Sequence, residues 1–189
     1  MLTDEQGKIL IRLTRQVIEE NLEIKPTNPV KNKELTDPIF QEHKPLFVTL
    51  NKNGQLRGCI GSLVATESVI EAVKRHAVNA AFFDQRFSPV AKDDVPELKI
   101  SISILTDPEP LEYRTVRDLE RKLRPGIDGV ILRDPLKGAA TFLPQVWEQL
   151  PTAAQFLDHL CGKAGLPENC WQNQQLEIQT YQVQYFNEK

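Results

Sequence analysis

The sequence predicts an α+β fold: a curved, mostly antiparallel or barrel-like sheet flanked by helices and divided into two lobes. Three observations lead there. Asn53-Gly54 separates two strand-like runs, and Asn-Gly favours the type I′ hairpin turn because both positions take positive φ. Leu98, Ile100, Ile102 and Ile104 alternate with Lys99, Ser101 and Ser103, the pattern of an antiparallel strand with one buried and one wetter face. Strand and helix runs do not alternate strictly along the chain, which argues against a doubly wound sheet.

The elements follow in order. Thr3 and Gln6 form a capping box, and Leu10, Leu13 and Val17 continue at helical spacing through Leu22. Between Lys25 and Pro45, prolines at 26, 29, 38 and 45 leave room for a surface loop with at most a short helical turn. Leu46 to Leu50 and Gln55 to Leu63 make the hairpin. With Asn53-Gly54 as its two-residue loop, Leu50 would face Arg57 and Val48 would face Cys59. Period-two alternation would then put Arg57, Cys59 and Gly61 on one side of the sheet. Ser68 and Glu71 cap a helix whose stripe of Ile70, Val73, Ala77 and Ala80-Ala81 ends at Phe83, so Asp84 to Pro89 is its exit turn.

After the strand at 98–105, Asp107-Pro108-Glu109-Pro110 marks a lobe boundary. The larger lobe spans about residues 1–106 plus the C-terminal strand, and the smaller one about 111–170, within a single domain of 1–189. The smaller lobe holds a helix near Thr115 to Leu123 and strands near Gly129 to Arg133 and Ala139 to Leu143. Helices near Gln145 to Leu150 and Thr152 to Ala164 complete it, and Leu176 to Phe186 reads as one final strand. The hairpin, the strand at 98–105 and that final strand are expected to share one sheet.

Composition excludes several classes. A net charge of -3 with a pI near 5.7 offers no footprint for a phosphate backbone, so nucleic acid is not an expected partner. No stretch approaches the ~18 apolar residues of a membrane span, and acids stand near Met1 where a secretory leader would carry bases; a cytoplasmic protein is expected. The three cysteines, 59, 161 and 170, make no Cys-x-x-Cys pair, so neither a disulfide framework, a metal site nor any other cofactor is indicated. Cys161 falls on the apolar stripe of Phe156, Leu157, Leu160 and Ala164, a core position, and Cys170 beside Trp171 has no visible partner. Lys163 opposes the dipole at its helix's C-terminus.

Leu56-Arg57-Gly58-Cys59-Ile60-Gly61 carries the chemistry. Glycine weakens a strand, so two of them three residues apart suggest a bulge or a close approach by a ligand or another backbone. Cys59 is a candidate nucleophile, because an arginine cation beside it favours the thiolate. Its other reading is a small buried hydrophobe. No base stands beside it in sequence; of His43, His76 and His159, only His76, on the following helix, merits testing. Arg57 and Arg86, with Asp84, could grip an anionic ligand through their guanidinium forks, the two glycines giving it access. A structural link from Asp84 to Arg86 or to backbone at the helix end accounts for them equally. Gly58-x-x-Gly61 has the form of a nucleic-acid clamp, but such a clamp joins helices and this one lies in a strand.

Phe47-Val48-Thr49-Leu50 followed by Leu56 to Gly61 resembles the signature of the AMMECR-domain family, also called AmmeMemoRadiSam system protein A. Four further stretches match in order: Ala80 to Pro89, Ile102 to Leu105, Leu143 to Val146, and Cys161 to Leu166. Gln85 departs from the pattern, which has proline before Arg-Phe. The resemblance covers nearly the whole chain. It implies a fold and association with a Memo-like protein and a radical-SAM protein, but supplies no reaction.

Two function classes follow. One is an enzyme or enzyme component that binds or processes an unidentified small, anionic molecule in a cleft between the lobes, with Cys59 and Arg57 at its floor. The other is a non-catalytic scaffold that receives a partner on the same glycine-rich surface.

Overall fold

The structure, a computed structural model, describes residues 1–188 and divides into two units. The first comprises residues 1–105 together with the C-terminal segment from Gln184, and the second comprises Thr106–Val183.

The first unit opens with α1 (Asp4–Asn21), whose N-terminus carries the reciprocal Thr3–Gln6 capping box. The Pro-rich stretch after it forms two short 3₁₀ turns, Asn32–Leu35 and Pro38–Gln41. Strands β1 (Leu46–Lys52) and β2 (Gln55–Ser62) form the hairpin, with Asn53 and Gly54 both at positive φ. Helix α2 (Val69–Val78), capped by Ser68, runs on into a wider π-helical turn, Asn79–Phe83. Strand β3 (Leu98–Leu105) pairs antiparallel with β1, and the C-terminal β8 (Val183–Asn187) lies beside β3 in a sheet ordered β2-β1-β3-β8. Leu46, Val48 and Leu50, with Ile100, Ile102 and Ile104, face a core shared with Leu10 and Ile18 of α1 and Ile70, Val73 and Ala77 of α2. Burying such side chains is worth about 1.5–3 kcal/mol each, which makes that face the source of the unit's cohesion.

In the second unit, β4 (Glu109–Pro110), β5 (Gly129–Asp134), β6 (Gly138–Phe142) and β7 (Glu177–Tyr181) form a separate antiparallel sheet ordered β4-β7-β5-β6. Three helices accompany it: α3 (Val116–Lys122), α4 (Ala153–Lys163) and the four-residue α5 (Cys170–Asn173). Trp147 stacks on Phe156 at 3.9 Å between ring centres, and Phe142 meets Phe156 edge-on at 5.4 Å. The Trp147 indole N–H donates to the Asp128 carbonyl at 2.8 Å, so the buried ring leaves no donor unpaired.

The α+β class and the antiparallel hairpin agree with the sequence. Two expectations are corrected. The strands do not close into a barrel but form two open sheets. The expected single strand from Leu176 to Phe186 is two strands broken at Gln182, β7 serving the second sheet and β8 the first. At the break the Gln182 N–H donates to the Thr106 hydroxyl and its carbonyl accepts the Thr106 N–H, each at 2.9 Å, so Gln182 pairs with the segment after β3 and with no strand of either sheet.

Candidate functional site

Strand β2 is an edge strand, and its geometry around Cys59 departs from simple alternation. Leu56 pairs with Asn51 and Gly58 pairs with Leu50, so Arg57 is an extra residue with no partner on β1. This bulge shifts the register by one. Cys59 therefore faces Thr49, rather than Val48, and Gly58, rather than Arg57, faces Leu50. Cys59 and Gly61 do share a face, the one carrying Thr49 and Phe47, but Arg57 is out of phase with them.

The Arg57 guanidinium turns toward the loop that precedes β3. Its Nη2 donates to the Pro89 carbonyl at 3.1 Å and to Asp94 Oδ2 at 3.3 Å, while Nη1 is buried without a partner. Asp94 also receives the Ala91 N–H and the Lys52 ammonium, and these donors, with Arg57, hold its carboxyl down to about 2. Arg57 is thus neutralised within the fold.

The cation that lies close to Cys59 is Arg86. Asp84, buried at the end of the π-helical turn, accepts the Cys59 N–H at 2.9 Å, and Arg86 Nη2 donates to the Cys59 carbonyl at 3.1 Å. Arg86 also forks onto Asp84, with Nε to Oδ1 at 2.9 Å and Nη2 to Oδ2 at 2.7 Å. That fork, with the backbone N–H groups of Cys59 and Arg86, keeps the Asp84 carboxyl well below the usual carboxylate range. The pair does for the sheet edge what a further strand would do. It satisfies the donor and the acceptor that an edge residue otherwise presents to water.

Each glycine of the hexapeptide has a steric reason. A Cβ at Gly58 would collide with the Ala80 carbonyl oxygen of the π-helical turn, and one at Gly61 would strike the Phe47 ring and the Leu46 carbonyl. The wide turn and the bare strand are therefore one feature: the helix end can press its backbone onto β2 only because Gly58 carries no side chain. This brings Asp84 within reach of Cys59.

The Cys59 sulfur is half-buried and accepts a hydrogen bond from the Thr49 hydroxyl at 3.3 Å. His76 is not brought to it. That ring is buried, with Nδ1 unpartnered and Nε2 3.4 Å from the Arg75 guanidinium, in a small recess lined by Leu46, Ser62 and Ala72. Burial and then the Arg75 charge push its pKa below the ordinary imidazole value. Two larger grooves lie elsewhere. One, of about 520 Å³, runs between α1 and β8, and the other, of about 460 Å³, lies over β7 and Tyr113 in the second unit. Among the described residues, no group of three or more His, Cys, Asp or Glu side chains is placed to hold a metal ion. No helix among them is long and apolar enough to cross a membrane.

Sequence reading missed three things. The bulge leaves no mark on the alternation because Leu56 is exposed, the tie between Arg57 and Asp94 is long-range, and Cys170 does have a partner. Its sulfur lies 2.7 Å from that of Cys161. Lys163 reaches the Thr141 carbonyl and lies over the Phe142 ring, so it bridges α4 to β6 as well as standing in the last turn of its helix.

Known proteins resemble the chain along its whole length. The AMMECR1 family model matches residues 11–186. A protein of Methanothermobacter thermautotrophicus is 36% identical over 196 residues, spanning 99% of this chain and 96% of its own. Protein MK0488 of Methanopyrus kandleri is 35% identical over 198 residues, spanning 100% and 91%. The crystal structure of uncharacterised protein PH0010 from Pyrococcus horikoshii superposes with a TM-score of 0.84 at 34% identity, covering 100% of this chain and 94% of that one. With the family model covering nearly all of it and a solved relative sharing its whole fold, this chain belongs to the AMMECR1 family.

Proposed function

We propose that the chain is a non-catalytic binding component of an AmmeMemoRadiSam-type system, receiving a Memo-like or radical-SAM partner on the glycine-rich face around Cys59. The observation that carries this reading is the internal neutralisation of both arginines. Arg57 is tied to Asp94 and Arg86 to Asp84, so neither guanidinium fork stands open to clamp an anion. Cys59 has a hydroxyl donor rather than a base beside it, and a nucleophilic thiol generally works with a base in hydrogen-bond reach. What the hexapeptide offers is a sealed sheet edge with Leu56, 43% exposed, on the same face as Cys59. An apolar side chain on a rigid edge suits a docking surface better than a reaction centre.

A second reading rests on Arg86. Its side chain is 57% exposed although Nε and Nη2 are engaged, which leaves Nη1 to meet a small anion beside Cys59.

Calorimetric titration of the chain with a purified Memo-like protein, and separately with a radical-SAM protein, separates the two. A docking face predicts that Leu56→Glu weakens partner binding at least tenfold while Cys59→Ser changes it less than threefold. Retained binding in Leu56→Glu, together with loss of a turnover or of small-anion binding in Cys59→Ser or Arg86→Ala, would replace the first reading with the second.

A further inference from the structure

We propose that Cys161 and Cys170 are a redox pair that closes to an intrachain disulfide, fastening α5 to the C-terminal end of α4. The separation of 2.7 Å between the sulfurs is only about 0.6–0.7 Å longer than the ~2.05 Å of a disulfide, so closure needs a small adjustment of two side chains rather than a refolding of backbone.

The approach is built into the chain reversal between them. Helix α4 ends in a Schellman turn: the Leu166 N–H donates to the Cys161 carbonyl at 2.9 Å, and the Gly165 N–H donates to the Gly162 carbonyl at 3.0 Å, with Gly165 at φ +76°. Pro167 then starts a turn whose carbonyl accepts the Cys170 N–H at 2.9 Å. Trp171, the next residue, is locked in turn. Its indole N–H donates to Asp158 Oδ1, on α4, at 2.6 Å. These bonds hold the backbones of both cysteines in place, and the burial of both side chains leaves the two sulfurs against each other.

Burial and then the neighbouring Cys170 push the Cys161 thiol well above its ordinary value. Cys170 is 5% exposed against 0% for Cys161 and sits on a helix of only four residues, so it is the one that local opening presents. With a small-molecule disulfide as oxidant, the Cys170 thiolate attacks one of its sulfurs, forming a mixed disulfide and releasing one small thiolate. Cys161 then gives up its proton and attacks the Cys170 sulfur; the protein S–S bond forms as the second small thiolate leaves. Two electrons pass from the protein to the small disulfide, which departs as two thiols after taking up the two protons. Cys59, in the other unit, takes no part.

The test equilibrates the full chain with oxidised glutathione, quenches in acid, alkylates remaining thiols and digests with trypsin. Cleavage after Lys137 and Lys163 places the two cysteines in adjacent peptides, 138–163 and 164–189. The expected product is those peptides joined by a bond that a reductant breaks, with Cys59 alkylated or glutathionylated but not joined to either. The oxidised chain should melt roughly 5–10 °C above the reduced one, and the difference should vanish in Cys170→Ala. Full alkylation of both thiols after equilibration, a stable glutathione adduct on Cys170 without the link, or an oxidant-dependent shift that survives in Cys170→Ala would overturn the proposal.

Discussion

Cys59 follows Gly58 on an edge strand of the first unit, whereas Cys161 precedes Gly162 inside a helix of the second, and the two neighbourhoods work oppositely. Gly58 is required because the Ala80 carbonyl occupies the space of its side chain. Gly162 is not, since the nearest atom to a Cβ there is the Glu168 side chain at 3.8 Å, an ordinary contact. Cys59 is half-buried beside a hydroxyl and the neutralised Arg86, while Cys161 is sealed in the core against another thiol. A glycine next to a cysteine thus marks a close backbone approach in one place and nothing steric in the other. Only the packing around each glycine tells them apart.

The largest effect that could break this contrast is in reactivity. In the reduced, folded protein at neutral pH, Cys59 should be alkylated at least roughly tenfold faster than Cys161, because Cys161 is fully buried and that burial, with the neighbouring Cys170, raises its thiol pKa. Mass-resolved labelling over time measures both rates in one sample. Comparable rates would put the two thiols in one class.

Next in size are the glycines themselves. Gly58→Ala should cost about 3 kcal/mol or more in urea unfolding, since backbone meets backbone and no flexible group can yield. Gly162→Ala should be neutral or stabilising by up to ~1 kcal/mol through helix propensity. Equal costs at the two positions would show that the π-helical turn can move away from β2.

Asp84→Ala should cost about 2–4 kcal/mol, because it leaves the Cys59 and Arg86 N–H groups without their acceptor and strips the Arg86 guanidinium of its partner. Arg86→Ala should cost less, since the Asp84 carboxylate keeps the Cys59 N–H and the lost donor to the Cys59 carbonyl lies near solvent. Equilibrium unfolding of the two variants ranks them. A larger loss for Arg86→Ala would mean that the cation, not the carboxylate, seals the edge.

These differences explain what sequence reading could reach. Local signals came through: the Thr3–Gln6 box, the Ser68 cap and the Asn53-Gly54 turn each depend on residues a few positions apart, and all three are present. The bulge did not, because an extra residue next to an exposed leucine leaves the buried alternation intact on either side. The proximity of Cys161 and Cys170 depends on a helix end, a left-handed glycine and a proline acting together across nine residues. Periodicity cannot express this, although Ala164-Gly165-Leu166-Pro167 is in retrospect the signal for a reversal. Of the expected site, Asp84 and Arg86 meet Cys59, whereas the bulge sends Arg57 to Asp94.

That diversion sets the smallest effect, and the sharpest on whether Arg57 belongs to the surface or to the architecture. Arg57→Ala should cost about 1 kcal/mol at pH 7: two hydrogen bonds are lost, but the buried, unpartnered Nη1 disappears with them. The cost should depend on pH with a definite sign. Asp94 titrates at about 2 in the fold against ~3.9 unfolded, so its contribution is fully present above about pH 4 and is lost as the pH falls from there toward 2. The part of the Arg57 contribution that runs through the carboxylate lasts while Asp94 is ionised in the fold and fades as the pH falls through about 2, leaving only the bond to the Pro89 carbonyl. Urea midpoints of wild type and Arg57→Ala should therefore stay apart from pH 7 down to about pH 3 and converge only toward pH 2. A gap that stays constant down to pH 2 would assign the whole contribution to Pro89, and a gap of several kcal/mol at pH 7 would make Arg57 a structural strut and leave Leu56 and its neighbours to carry the docking face alone.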